Sequence, residues 1–252
     1  MDIDLTDKVI VVTGAARGLG RALALGLAEQ GARIAVLTRR REQAHAVVAE
    51  IDELPGAPRA LAVEADIADE PAVIQATAEI DNAWGRIDAL INNAAWMPPR
   101  QHILDLDASL LERVLRSNVV GSFLMTKHVA PIMIRQGGGR IIYLSSALGV
   151  QANPGLAPYG ASKAAVNILA NVAHQELAGS GIRTVALAPG LTDTPGMRDS
   201  VGNDYIERIS QTYPSRRLGQ PQDIVPLTAF LCSSAASELS GTVISVRPPA
   251  TG

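Results

Sequence analysis

Short apolar runs alternate with longer amphipathic stretches along the chain, and this alternation constrains the fold more than any other feature. The runs are rich in Val, Ile, Leu and Ala, which is typical of strands buried on both faces of a sheet. They span residues 8–13, 33–38, 60–65, 87–92, 140–145, 182–188 and 242–246. The pattern predicts an α/β fold with a doubly wound parallel sheet of about seven strands and helices on both faces.

Apolar residues recur at helical spacing between nearly all of these strands. The predicted helices span residues 18–30, 42–54, 70–83, 106–136, 159–177, 196–211 and 222–233. The least regular region, about residues 191–221, is rich in Gly, Pro, Thr and Ser. Neither a linker composition nor an internal repeat divides the chain, so we predict one domain over residues 1–252.

Composition and charge argue against several classes of protein. The formal net charge of the 252 residues is -3, and without a basic excess we expect no nucleic-acid partner. Apolar runs all fall well short of 18 residues, so we expect no membrane-spanning helix. The acidic start of the chain differs from a secretory signal, and the single Cys232 cannot form an intrachain disulfide. These features predict a cytoplasmic protein, and the scattered histidines predict no metal site.

A glycine-rich loop follows the first predicted strand, with Gly14, Gly18 and Gly20 spaced Gly-x-x-x-Gly-x-Gly. Gly14 would allow a tight turn and Gly18 a close approach of backbone to a pyrophosphate. The following helix would direct its N-terminal amides at the phosphates. A purely structural strand-to-helix turn is the alternative. The position between the first strand and first helix favours a dinucleotide site.

Cations replace the expected acid after the second predicted strand. A fold that binds the 2′-hydroxyl of an adenosine ribose often places Asp or Glu there, whereas Thr38 is followed by Arg39-Arg40-Arg41. Arg17, inside the glycine loop, offers a second cation. A cofactor with a 2′-phosphate is therefore favoured, held by Arg39 and Arg17. We interpret Arg40 and Arg41 as the solvated start of a helix.

Further motifs resemble, in order, those of the short-chain dehydrogenase/reductase family. With the glycine loop they are Asp66-Ile67, Asn92-Asn93-Ala94, Asn118, Ser146, Tyr159-x-x-x-Lys163 and Pro189-Gly190-Leu191-Thr192-Asp193-Thr194. They cover nearly the whole chain, so the resemblance implies one dinucleotide-binding and catalytic domain over residues 1–252, with a substrate loop at about 191–221. The resemblance implies a Rossmann-type fold and an oxidoreductase that transfers a hydride between NADP(H) and a ketone or secondary alcohol.

The resemblance also implies residue roles. Tyr159 would be the general acid/base, and Ser146 would hold the substrate oxygen. Lys163 would lower the pKa of Tyr159 and hold the nicotinamide ribose, and Asn118 would support a proton relay through a water. Family spacing selects the serine thirteen residues before the tyrosine, which is Ser146 and not Ser145.

Cofactor and substrate contacts follow from the same resemblance. The cofactor contacts are Gly14, Arg17, Gly18, Leu19, Gly20, Thr38, Arg39, Asp66, Ile67, Asn92, Asn93, Ala94, Tyr159, Lys163, Pro189, Gly190, Leu191, Thr192 and Thr194. The substrate contacts are Ser146, Trp96, Gln151, Asn153, Tyr159 and Met197. A homo-oligomer, either a dimer or a tetramer, is also implied.

Two departures from the family pattern and two alternative functions accompany this interpretation. Ala95 stands where the family usually has Gly, and Arg247-Pro248-Pro249 replaces part of a common Val-Asp-Gly-Gly ending. The alternatives are a non-catalytic NADP(H)-binding regulatory protein and a lyase-type relative without hydride transfer. The presence of Ser146, Tyr159, Lys163 and the glycine loop favours the oxidoreductase.

Overall fold

The computed structural model describes residues 3–201, 203–211 and 213–246. The strands are β1 (Val9–Thr13), β2 (Arg33–Thr38), β3 (Leu61–Glu64), β4 (Ala89–Asn92), β5 (Gly139–Leu144), β6 (Ile182–Pro189) and β7 (Thr242–Val246). They form one parallel sheet in the order β3-β2-β1-β4-β5-β6-β7. All seven predicted strands are thereby confirmed, as is the doubly wound sheet. The departure noted at Arg247-Pro248-Pro249 lies outside the described residues.

Helices connect the strands. They are α1 (Gly18–Ala28), α2 (Arg41–Asp52), α3 (Glu70–Trp84), α4 (Ala108–Leu115), α5 (Gly121–Arg135), α6 (Ala157–Leu177), α7 (Pro195–Val201), α8 (Asn203–Ser210) and α9 (Val225–Cys232). Within the described ranges, none of them combines the length and the apolar character needed to cross a membrane.

Three predicted helices prove to be composite. The stretch predicted as one helix over 106–136 contains α4 and α5, joined by a π-helical turn over Arg116–Val120. Helix α4 starts only after Asp107, whose carboxylate accepts a hydrogen bond from the Ser109 N–H at 2.7 Å. The predicted helix over 196–211 is divided into α7 and α8, and α9 is preceded by a 3-10 turn over Pro221–Ile224.

Alternate residues of each inner strand enter different cores. On β1, Ile10 and Val12 pack with Leu23 and Leu27 of α1, on the face that α9 also covers. Val9 and Val11 point to the opposite face, where α3, α5 and α6 pack. This is the side-chain alternation expected of a strand buried on both sides. It explains why the strand sequences are apolar without interruption.

The sheet order changes direction between β1 and β4. From β1 the chain moves outward through β2 and β3, then returns to β4 and continues in the other direction to β7. Ligands in such sheets bind beyond the carboxyl ends of the strands at this switch point. The loops that follow β1, β4, β5 and β6 meet at this edge.

Candidate active site

Thr13 joins the carboxyl ends of β1 and β4. Its hydroxyl donates to the Ile91 carbonyl at 3.2 Å and accepts from the N–H groups of Asn93 and Ala94, both at 3.0 Å. The Asn93 amide donates in return to the Thr13 carbonyl at 2.8 Å. The predicted motif at the end of β4 is therefore fixed against the glycine loop.

The glycine loop leaves little room for side chains. Gly14 has a φ of +66°, and a Cβ on it would lie 2.8 Å from the Ala94 Cα. Gly18, with a φ of +56°, opens α1, and a Cβ there would lie 3.4 Å from the Thr194 Cβ. Leu19 and Gly20 continue into the first turn of α1. The N-terminus of α1 thus faces the segment around Thr194. Because Gly18 has no side chain, the gap between them stays open.

The end of β2 carries cations. Thr38 is buried, and its hydroxyl donates to the Arg40 carbonyl at 2.7 Å, while Arg39 is exposed. Arg41 contacts the Glu79 carboxylate at 3.2 Å and lies 3.8 Å from Glu64. Glu64 is paired with Thr38 in the β2–β3 ladder, so an acidic residue adjoins this site from the neighbouring strand. Local sequence gives no signal for Glu64 at this site, because only the strand register brings it here.

Arg17 approaches from the other side of the glycine loop. Its Nη2 lies 3.6 Å from the position that a Cβ on Gly196 would occupy, near the start of α7.

Further along the same edge, Asp66 accepts a hydrogen bond from the Ala68 N–H at 2.9 Å. The Ile67 side chain is buried against Gly121, at the start of α5.

Ser146, Tyr159 and Lys163 come together beyond the end of β5. Ser146 lies two residues beyond the end of β5, and its Oγ accepts a hydrogen bond from the Leu148 N–H at 3.2 Å. Tyr159 and Lys163 lie one turn apart on α6, which places them on one face of the helix. The Lys163 Nζ donates to the Leu144 carbonyl at 2.6 Å and lies 5.6 Å from the centre of the Tyr159 ring.

Burial controls the protonation of this group. It raises the pKa of Tyr159 to about 12, although a hydrogen bond with Ser146 lowers this pKa in part. It lowers the pKa of Lys163 to about 8. The expected lowering of the Tyr159 pKa by Lys163 is not observed in the structure, where this pKa is raised. The reason is that desolvation of the phenolate outweighs the favourable interactions that the chain itself supplies.

Ser145 contacts backbone groups of α6 and β6. Its hydroxyl is buried and donates to the Lys163 carbonyl at 3.4 Å, and its N–H donates to the Leu187 carbonyl at 2.7 Å. Adjacent residues at the end of a strand face opposite sides, so Ser145 and Ser146 have different surroundings.

Asn118 lies in the π-helical turn and is almost fully buried. Its Oδ1 accepts from the Trp96 N–H at 2.7 Å, and its Nδ2 donates to the Trp96 carbonyl at 3.1 Å. The Nδ2 also donates to the Ser162 Oγ at 2.9 Å, and Ser162 donates to the Tyr159 carbonyl at 2.7 Å. Asn118 therefore connects the loop after β4 to the turn of α6 that carries Tyr159.

Ser162 is a site residue to which the sequence analysis assigned no role. It is fully buried and stands between Asn118 and the Tyr159 backbone. Its place inside the Tyr-x-x-x-Lys motif is the only sequence signal. Asn92 is also buried, and its Nδ2 donates to the Thr126 hydroxyl at 3.4 Å.

The segment after β6 is held at both sides. The Gly190 N–H donates to the Val246 carbonyl at 2.7 Å, and the Leu191 N–H donates to the Tyr213 hydroxyl at 3.1 Å. Thr192 bonds to the Gly190 carbonyl at 3.0 Å. These contacts fix the backbone between Pro189, at the end of β6, and Thr194, which lies opposite Gly18.

Of the six predicted substrate contacts, the four other than Ser146 and Tyr159 separate into two groups. Gln151 and Asn153 line a cavity of about 570 Å³, whose wall also includes His102, Leu148 and Leu156. Trp96 and Met197 are not among the residues that line this cavity. The Trp96 ring lies 5.6 Å from the Arg113 guanidinium, and Met197 is buried in a small cluster with Tyr213 and Leu218.

Comparison with known proteins places this arrangement in one family. The family model described as short chain dehydrogenase matches residues 8–205. The chain is 33% identical to an NADPH-dependent aldehyde reductase-like protein, chloroplastic, of Arabidopsis thaliana, over 97% of this chain and 94% of that protein. It is 37% identical to a 3-oxoacyl-(acyl-carrier-protein) reductase of Staphylococcus aureus, over 95% of this chain and 96% of that protein.

A solved structure supports the same relationship. A 7α-hydroxysteroid dehydrogenase complexed with NADH and 7-oxo glycochenodeoxycholic acid superposes with a TM-score of 0.92 and 34% identity. The match covers 98% of this chain and 95% of that chain. The protein therefore belongs to the short-chain dehydrogenase/reductase family of oxidoreductases, whose members bind a nicotinamide cofactor.

Proposed function

We propose that this protein is an NADP(H)-dependent carbonyl reductase or alcohol dehydrogenase, acting between a ketone and a secondary alcohol. The observation that carries the proposal is the convergence of Ser146, Tyr159 and Lys163 at the carboxyl edge of the sheet, beside the glycine loop. A phenol, a hydroxyl and an ammonium are together the groups needed to hold a carbonyl oxygen and to supply its proton.

The chain fits a dinucleotide at this edge. Gly18 presents the N-terminus of α1 without a side chain, and a helix N-terminus favours phosphate. Lys163 uses one N–H on the Leu144 carbonyl and, with three N–H donors, retains two for ribose hydroxyls. When bound, the nicotinamide supplies or accepts the hydride.

Tyr159 carries the proton in this mechanism. With a pKa of about 12, its Oη is protonated at neutral pH and is ready to donate to the oxygen of a carbonyl undergoing reduction. Ser146 donates a hydrogen bond to the same oxygen and shares its developing charge. Lys163, with a pKa of about 8, is mostly protonated at pH 7 and keeps a positive charge near the phenol. Its charge favours the phenolate left by proton transfer.

Asn118 positions the part of α6 that carries Tyr159. Its side chain is engaged with Trp96 and Ser162, so it fixes the turn of α6 on which Tyr159 stands. We propose that the water relay expected of the family starts from this fixed turn.

Local charge supports NADP(H) over NAD(H). Arg39 is exposed at the end of β2, and Arg17 lies across the loop near Gly196. The neighbouring acid Glu64 is faced by Arg41, which reduces its repulsion of a phosphate. The named relatives differ, since one is NADPH-dependent and one contains NADH, so the proposal depends on the arginines of this chain.

The outer faces of α5 and α6 support a homo-oligomer, as a dimer or tetramer. Phe123 and Ile134 of α5 are 47% and 46% exposed, and Ile168 and Val172 of α6 are 63% and 42% exposed. Large apolar side chains grouped on exposed helices mark interaction surfaces.

We also propose a single domain with a substrate loop at about 191–221. A cytoplasmic location agrees with Cys232 as a buried free thiol.

A panel of ketones and secondary alcohols, followed by absorbance of the reduced cofactor, tests the function. The proposal predicts turnover of at least one ketone with NADPH, and loss of that turnover in Tyr159→Phe. Binding of NADPH without turnover across the panel would instead support a regulatory protein. Failure to bind NADPH would support a lyase-type relative.

A further inference from the structure

Two arginines stand side by side at the edge of the sheet opposite the candidate active site. Arg140 and Arg183 are paired in the β5–β6 ladder, so their side chains leave the sheet on the same face. Both line a cavity of about 280 Å³, together with Ser234 and Ser237. Ser146 is the sixth residue after Arg140, which corresponds to about 20 Å along an extended strand. The cavity is therefore separate from the cofactor loop.

The two guanidinium groups are bonded to carbonyl oxygens. Arg140 donates from Nη1 to the Ala236 carbonyl at 2.9 Å. Arg183 donates from Nε to the Ser237 carbonyl and from Nη1 to the Ala178 carbonyl, both at 3.1 Å. Each guanidinium has five N–H donors, so most remain for another acceptor.

Among the described residues, no counter-charge is paired with these two arginines. Over the described part of the chain, no carboxylate lies within 4.0 Å of Arg140 or Arg183. Asp88 lines the cavity, but its carboxylate contacts Arg86 at 2.6 Å and Lys8 at 3.4 Å. Since Lys8 is also in the lining, the charge of the cavity wall is positive.

The remaining acidic group in the wall does not compensate the arginines. Burial raises the pKa of the Cys232 thiol to about 12, so the thiol is neutral at pH 7. Burial and the adjacent Arg183 both lower the pKa of Arg140. The protein thus holds two like charges together in a partly desolvated place, and an anion between them would relieve that repulsion.

We propose that this cavity is an anion site that binds a compact dianion of the inorganic phosphate type. The planar forks of Arg140 and Arg183 match the oxygen edges of such an anion, and the hydroxyls of Ser234 and Ser237 add donors at the rim. A volume of about 280 Å³ falls below the roughly 300–1,000 Å³ of pockets for drug-sized ligands, which suits a small ion.

Thermal unfolding with inorganic phosphate, at ionic strength held constant with potassium chloride, tests the site. The wild type is expected to show a saturable rise in Tm. Arg183→Gln should raise the apparent Kd for phosphate by about tenfold or more, since a charge-assisted fork is lost. Arg59→Gln, which removes an exposed arginine in the loop between α2 and β3, should leave the Kd unchanged.

Phosphate binding at the cofactor loop is the main competing explanation. Arg39→Gln should retain the phosphate-dependent rise in Tm if the ion binds beside Arg183. Loss of the rise in Arg39→Gln with its retention in Arg183→Gln would overturn the proposal, as would the absence of a saturable rise in the wild type. If Arg183→Gln does not fold, Arg183→Lys decides: it keeps the charge but loses the fork, and an unchanged Kd would contradict the proposal.

Discussion

The Nζ of Lys163 lies 5.6 Å from the centre of the Tyr159 ring and donates a hydrogen bond to the Leu144 carbonyl at 2.6 Å. One ammonium therefore joins α6, which carries the phenol, to the end of β5, two residues before Ser146. Because Lys163 is 4% exposed, its geometry is set by the protein and not by solvent. The proton-transfer group is thus prearranged in the folded chain.

Replacing Tyr159 by Phe keeps the ring and removes the proton donor. Turnover should fall by about 10²-fold or more, in line with the contribution of general acid–base catalysis, while the Kd for NADPH changes little. Steady-state rates and a fluorescence titration measure the two effects. Tyr143→Phe is a matched control: Tyr143 lies on β5, its buried hydroxyl bonds to Thr126 of α5 at 2.7 Å, and its replacement should leave turnover nearly unchanged. Near-normal turnover in Tyr159→Phe would refute its role.

Two adjacent serines provide an internal comparison. Ser146→Ala should lower turnover by about 10²-fold, the cost of removing one donor to a developing oxyanion. Ser145→Ala removes a hydrogen bond to the Lys163 carbonyl and should cost only about 1 kcal/mol of stability. Turnover and urea unfolding of both variants test the assignment, and the opposite ranking of turnover would identify Ser145 as the functional serine.

The lowered pKa of Lys163 predicts how stability depends on pH. In the folded protein this pKa is about 8, against 10.5 for an ordinary lysine, so between these values the unfolded chain binds the additional proton. The contribution of Lys163 to the free energy of unfolding therefore rises with pH. Below pH 8 the free-energy cost of burying its charge is fully present. Relative to Lys163→Met, the wild type should gain about 2 kcal/mol of unfolding free energy between pH 8 and pH 10.

Urea unfolding at pH 8 and pH 10 measures this difference. Lys127→Met, which removes an exposed lysine paired with Glu70, serves as the control and should follow the wild type. The same difference between wild type and Lys163→Met at both pH values would show that burial does not lower the pKa of Lys163.

Local sequence predicts the strands well because their pattern is simple. Val9 to Val12 are apolar without interruption because neighbours such as Ile10 and Val11 enter different cores. The glycine loop and the Tyr159–Lys163 spacing are equally local, and the structure brings both to the carboxyl edge of the sheet.

Features that depend on tertiary contacts are not visible in the sequence. The π-helical turn that holds Asn118 interrupts a stretch whose periodicity predicts one helix, and hydrogen bonds to Trp96 and Ser162 stabilise it. The position of Glu64 beside Thr38 depends on strand register. The raised pKa of Tyr159 depends on burial, which the Tyr-x-x-x-Lys spacing does not encode.

Specificity constants for NADPH and NADH, measured with one common substrate, test the central claim most directly. The exposed Arg39 after Thr38, with Arg17 across the loop, predicts at least about a tenfold preference for NADPH, because one charge-assisted hydrogen bond contributes about 1.5–3 kcal/mol. The double variant Thr38→Asp with Arg39→Leu should reverse the preference, and the control Arg40→Leu should retain it. Equal or better use of NADH by the wild type would contradict the account.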